Sequence, residues 1–137
     1  MLSSILIDTV KIKRLLVISI LLTLVTNAGA QSCISLHKGK FKISDSKSGV
    51  TIITRDEKHQ IEENQSLNIK IIFSINWIDN CTYELRPQKI IEGGSSYLRE
   101  GAVITTVITK IKSHGYKAIC STNLSSVKET FIVEIIE

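Results

Sequence analysis

Chemistry-bearing motifs are what this chain of 137 residues lacks. Its histidines, His37, His59 and His114, have no ligand spacing with one another, with a cysteine pair or with a carboxylate, so no framework for a metal site exists. Gly93-Gly94 has no strand, loop and helix context around it and is not a phosphate loop. Neither Cys33 with His37 nor Cys120 with His114 has a neighbour that would activate the thiol. Catalytic, cofactor and metal residues are therefore expected to be absent, and the protein is expected not to be an enzyme. Aromatic residues are scarce at 5%. Phe73, Trp77 and Tyr83 stand close together in one stretch, as a ligand platform or as core.

The N-terminal segment carries Lys11, Lys13 and Arg14, then the apolar run Leu15 to Val25, then Asn27-Ala28-Gly29-Ala30. A basic region, a short apolar core and a small-x-small site make a secretory signal peptide, residues 1–30, cleaved after Ala30. The run holds eleven residues, short of the roughly 20 that a spanning helix needs. Residues 31–137 then form a single domain with 14 basic and 12 acidic side chains. That balance gives nucleic acid little purchase. Ala30-Gln31-Ser32-Cys33 has a cysteine where a lipoprotein would carry its lipid, but Ala30 stands where that pattern wants an aliphatic residue such as Leu. Soluble export, to the medium or to the periplasm and cell envelope, is the expected fate. Membrane attachment would require lipid on Cys33.

The exported part reads as strand after strand. From Leu67 to Ile78 the residues Leu67, Ile69, Ile71, Phe73, Ile75 and Trp77 alternate with a mostly polar set, the pattern of a long strand covering a core on one face. A first strand carries Phe41 and Ile43 inward, and its lysines, Lys38, Lys40 and Lys42, form a solvated face. Val50 to Arg55 is β-branched. His59 to Glu63, Cys81 to Arg86, Ala102 to Lys112, Tyr116 to Cys120 and Lys128 to Ile136 complete the set, the last with Phe131, Val133 and Ile135 inward. Asp45 to Gly49 is a turn by composition, with Gly49 free to take positive φ. Pro87, the lone proline, marks an edge, a bulge or a fading strand end because it has no backbone donor. Gly93 to Ser96 is the expected flexible loop.

Two registers follow from which faces must meet. A two-residue loop at Asp79-Asn80 would set the apolar face of one strand against Thr82, Glu84 and Arg86. An odd loop, Ile78-Asp79-Asn80 ending in a left-handed Asn80, repairs this and pairs Trp77 with Cys81, Ile75 with Tyr83 and Phe73 with Leu85. A tight turn at His114-Gly115 pairs Ile111 with Ala118, Thr109 with Cys120 and Val107 with Thr122. It places Cys120 on the Val107 and Ile111 face, with Ile104 and Ile108 on the other. The fold class is all-β: about eight antiparallel strands in an up-and-down meander. It closes as a small barrel, which hides its strand edges, or stays a curled open sandwich.

Cys33, Cys81 and Cys120 allow one bridge and one spare thiol in an oxidising compartment. Cys33 with Cys81 fastens the N-terminal tail to the central hairpin, leaving Cys120 as a buried thiol.

Cys33, Gly39-Lys40-Phe41, Ile53-Thr54-Arg55, Gln60-Ile61-Glu62 and the block Trp77 to Leu85 together resemble small exported proteins of flavobacteria and their relatives, some of which carry a DNA topoisomerase label. The resemblance implies a secreted or envelope protein, supports the Cys33 to Cys81 pairing and supplies no activity. Residues 31–137 cannot hold topoisomerase machinery. More loosely, Gly39-Lys40-Phe41 is similar to the Gly-x-Trp that opens the first strand of lipocalin-type barrels. The expected role is non-enzymatic: an exported barrel or sandwich binding a small apolar ligand or a protein partner, without nucleic acid. The alternative is a structural or adhesive envelope component that uses Ile104 and Ile108 for contacts.

Overall fold

The computed structural model describes residues 32–93 and 99–137. The expected signal peptide and Gly94, Ser95 and Ser96 of the expected loop lie outside the described residues. The described residues form eight strands: β1 Gly39–Asp45, β2 Gly49–Arg55, β3 His59–Asn64, β4 Ile69–Asp79, β5 Thr82–Glu92, β6 Ile104–Lys112, β7 Gly115–Thr122 and β8 Ser125–Ile135. Each pairs antiparallel with the next, and β8 returns to β1 through Phe41↔Ile135, Lys42↔Glu134 and Ile43↔Val133. The meander is therefore a closed barrel and not an open sandwich. A single turn of 3-10 helix, Ile34–Leu36, precedes it.

Alternation builds the wall. Phe41, Ile53, Ile71, Phe73, Ile75, Leu85, Ile108, Ala118 and Val133 point inward and are buried. Three of the turns are organised by an aspartate whose Oδ1 accepts backbone N–H groups two or three residues on: Asp45 from Lys47 and Ser48, Asp56 from Lys58 and His59, and Asp79 from Cys81. Those N–H groups favour the ionised carboxylate and hold all three pKa values low. Gly49 has φ +81°, and a Cβ there would sit 2.6 Å from Ser66 Oγ, so positive φ and close approach both require glycine. On the outer face Lys38, Lys40 and Lys42 each meet a carboxylate, from Glu57, Glu137 and Glu134.

Both expected hairpin registers are corrected, and for the same reason. The β4–β5 turn is two residues long, Asn80-Cys81, with Asp79 opposite Thr82, and an extra residue, Ile78, bulges from β4. The bulge changes which face meets which, the job the sequence pattern gave to an odd loop. Trp77 thus pairs with Tyr83, Ile75 with Leu85 and Phe73 with Pro87: the right faces, shifted by one step of the ladder. Asn80 is not left-handed. The non-glycine residue with positive φ among those described is Asn68, at 51°. It sits in the turn that also takes in Leu67, so β4 starts at Ile69.

The β6–β7 turn is Ser113-His114, with Lys112 opposite Gly115, and Thr109 bulges from β6. Ile104, Ile108 and Ile111 all pack on the core and Val107 faces out at 40% exposure, so Cys120 pairs with Thr106 and not with Thr109. Burial of Ile108 and packing of Ile104 against the core remove the outer contact pair on which an adhesive role would rest. Gly115 is needed for approach, not for the turn: a Cβ would lie 2.0 Å from the Val133 carbonyl oxygen. Pro87 stands beside a bulge in β5 and past Leu85, where the β5–β6 ladder ends, as a residue without a donor should.

The turns β2–β3, β4–β5 and β6–β7 lie at one end, and the 3-10 turn plugs it. Cys33 and Leu36 are 1% and 2% exposed, and Cys33 is joined to Cys81 by a disulfide. His37 stacks on Trp77 with ring centroids 3.5 Å apart, and its Nε2 donates to the Asn80 carbonyl at 2.9 Å. The bridge spans a sequence separation of 48, so the loss of chain entropy on cross-linking the unfolded state is worth about 4 kcal/mol. Paired replacement of Cys33 and Cys81 by serine is expected to lower stability by about that amount, read as a fall in the denaturant midpoint.

Candidate functional site

The plugged end is built around a buried cation. Arg55 closes β2 with its side chain inside the barrel at 3% exposure. A guanidinium out of water must satisfy its donors internally. Nε donates to Gln60 Oε1 at 2.8 Å, Nη1 to the Leu36 carbonyl at 2.7 Å, and Nη2 to the Tyr83 and Tyr116 hydroxyls at 2.9 and 3.2 Å. The same group lies 4.8 Å from the Phe41 ring centroid, 4.6 Å from Tyr83 and 5.7 Å from Trp77, so aromatic faces supply what the hydrogen bonds leave of its solvation. Burial pushes the Tyr83 phenol well above its usual pKa, with Arg55 opposing in part, which keeps the hydroxyl protonated and able to accept from the guanidinium.

The line of polar groups continues up β3. Gln60 Nε2 donates to Glu62 Oε1 at 2.7 Å, so Gln60 links the cation to a carboxylate. Glu62 is flanked by Ile53 on β2 and Ile71 on β4. Desolvation by these walls pushes its carboxyl above the ordinary value of 4.5, against the lowering effects of Gln60 and Arg55. Cys120 is next across the interior, its Sγ 3.3 Å from Thr106 Oγ1. Burial raises that thiol first, the Thr106 bond lowers it, and Glu62 and Glu129 add to the rise. It is therefore a protonated, unreactive thiol.

The aromatic residues anticipated as platform or core divide as follows. Phe73 is 1% exposed and wholly core, and Tyr83 is 3% exposed and serves Arg55. Trp77 is half-buried between His37 and Tyr83, and its buried Nε1 has no hydrogen-bond partner. Cys33 and Cys81 form the expected disulfide and Cys120 is the free thiol. Among the described residues no group of His, Cys, Asp or Glu is arranged to hold a metal ion.

Arg55, Gln60, Glu62 and Tyr116 were not anticipated as a cluster. The available signal was the alternation Gln60, Glu62, Asn64 against Ile61, which puts a polar face of β3 into the barrel.

The opposite end has no plug among the described residues. Its inward residues Ile43, Ile69, Ile90, Ile104 and Phe131 pack on the core yet remain half-buried. Deeper in, Glu62 and Cys120 also keep accessible surface, although the inward neighbours of Glu62, namely Ile53, Asn64 and Ile71, are only 3 to 5% exposed. Two clefts of about 440 Å³ lie on the surface: one beside the plug at His37, Lys38, Glu57 and Trp77, the other along β5 past its ladder with β6, from Arg86 to Ile90 and across to Ala102.

Compared with protein-family models, curated proteins and solved structures, the chain matches none.

Removing Arg55 strands Leu36 O, Gln60, Tyr83 and Tyr116 together. Arg55→Leu is expected to cost about 3–5 kcal/mol, and Arg55→Lys most of that, because one ammonium cannot reach four acceptors set around a planar fork. Chemical denaturation of the two variants checks this. For Glu62 the folded state holds its proton more tightly than the unfolded chain. Stability from this group is therefore full below about 4.5 and is lost as pH rises through the folded value. Glu62→Gln is expected to match the parent in acid and exceed it at neutral pH, as measured by melting temperature against pH.

Proposed function

We propose that this protein is an exported, non-enzymatic barrel that takes a small, largely apolar ligand into its lumen through the end opposite the plug. The observation that carries this reading is the asymmetry of the two ends. One is sealed by a disulfide-bonded turn and a buried cation that makes four hydrogen bonds. The other is rimmed by Ile43, Ile69, Ile90, Ile104 and Phe131, apolar side chains that remain half-buried. Eight-stranded barrels are wide enough to hold one small ligand, and ligand sites are concave, mostly apolar and fitted with a few polar groups.

Export is supported by the disulfide, a bond that persists in oxidising compartments, by the basic, apolar and small-residue order of residues 11–30, and by the resemblance to small exported proteins. Among the described residues no helix is long and apolar enough to cross a membrane. Because the Cys33 sulfur is bonded to Cys81, it is not available for a thioether lipid, which favours a soluble form over a lipid-anchored one.

Fluorescence titration of the oxidised protein with Nile red, a neutral apolar dye, tests the reading. Saturable binding at one site per chain is expected. Ile104→Arg should weaken it about tenfold or more by placing a charge at the mouth, with the melting curve showing that the variant still folds. A dye signal that does not saturate, or one indifferent to Ile104→Arg, would overturn a luminal site.

A further inference from the structure

We infer that the outer face of the β6–β7 hairpin is a docking surface for an anionic lipid bilayer, met through Lys110, Lys112 and Lys117. The imbalance of charge begins in the sequence: from Gly101 to Lys128 the chain carries four lysines and no acidic residue. Strand geometry then gathers three of them. Ile108 and Ile111 pack on the core with a bulge at Thr109 between them, so Lys110 and Lys112 face outward. On β7, Lys117 stands between the buried Tyr116 and Ala118 and faces the same way. Lys110 is directly across from Lys117 in the ladder.

Elsewhere on the wall Lys38, Lys40, Lys42, Lys70 and Arg86 each meet a carboxylate. Lys110, Lys112 and Lys117 meet none among the described residues. Glu134 lies one strand over, opposite Gly115, but Lys42 holds it at 2.8 Å. Like charges directly opposite one another on a sheet destabilise it, so the hairpin keeps an arrangement that folding alone disfavours and that a partner of opposite charge would relieve. Two aliphatic side chains border the lysines: Val107 on β6 and, across from Lys117 on β8, Ile132, 40% and 49% exposed. Neither surface cleft is lined by these residues, so the face suits an extended partner and not a small molecule. A soluble polyanion would use the ammonium groups alone. An anionic bilayer uses both kinds of group, its phosphates taking the ammoniums and its interfacial zone the valine and isoleucine. Each lysine near such a surface is worth about fivefold in binding, so three give about a hundredfold, reversible and sensitive to salt.

The test is co-sedimentation of the oxidised protein with vesicles of phosphatidylcholine alone and of phosphatidylcholine with phosphatidylglycerol in equal parts. Binding to the second and not to the first is expected, with loss in raised salt. K110Q/K117Q should weaken it about 25-fold and, by removing the opposed charges, should not lower the melting temperature. K38Q/K70Q takes the same net charge from the β2 to β4 side of the barrel and should leave binding nearly unchanged. Ile132→Ser should weaken vesicle binding severalfold. Equal sedimentation with both vesicle types, equal loss in the two double variants, or no sedimentation at all would overturn the inference. So would tighter binding to heparin or polyglutamate than to vesicles together with indifference to Ile132→Ser, which would assign the face to a soluble polyanion.

Discussion

The buried guanidinium of Arg55 is the constraint on which the rest of this barrel depends. Its donors go to four places that only a closed, plugged and correctly registered barrel brings together: Gln60 on β3, Tyr83 on β5, Tyr116 on β7 and the carbonyl of Leu36 in the plug. An open sheet or a slipped strand would leave a charge without partners in an apolar interior, at a cost of several kcal/mol. The disulfide serves the same end from outside. It holds the plug where the Leu36 carbonyl can accept, and the His37 to Trp77 stack covers what remains exposed of the floor.

Gln60 stands at the boundary, accepting from the cation below and donating to the carboxylate above. The polar line thus passes from a buried cation at the plugged end to a buried carboxylate further along β3. Ladders around the wall are of unequal length: β1–β8 is held by three residue pairs and β5–β6 by four, while β4–β5 and β7–β8 run much longer. The long hairpins carry most of the ladder, and the rim is where apolar side chains remain half-buried.

Much of this was legible in residue order. Period-2 alternation from Leu67 to Ile78 identified the central strand, which runs Ile69–Asp79, and its inner face, while the turn from Asp45 to Gly49 with Gly49 at positive φ and the break in pairing beside Pro87 were read from residue chemistry. The hairpin registers were not, and the reason is specific. Both an odd loop and a bulge of one residue restore the same face, and alternation cannot tell them apart. At β4 the bulge is Ile78, and at β6 it is Thr109, which also moved Ile104 and Ile108 from a supposed outer surface into the core. Arg55 was hidden by its position, since a charged residue at the end of a β-branched run reads as the place where a strand meets water.

By itself the sequence determined what each segment could be: which stretches are strands, which residues share a face, where the chain turns, and that two of the cysteines can close a tail onto the central hairpin. Those properties are local, set by side-chain shape, hydrogen-bonding capacity and spacing along the backbone. Tertiary structure alone decided that the meander closes, which turn carries a bulge, and that Arg55, Gln60, Glu62, Tyr83 and Tyr116 occupy one interior. A buried charge network is stable only when partners from distant strands arrive together in low dielectric, and no local pattern records that meeting.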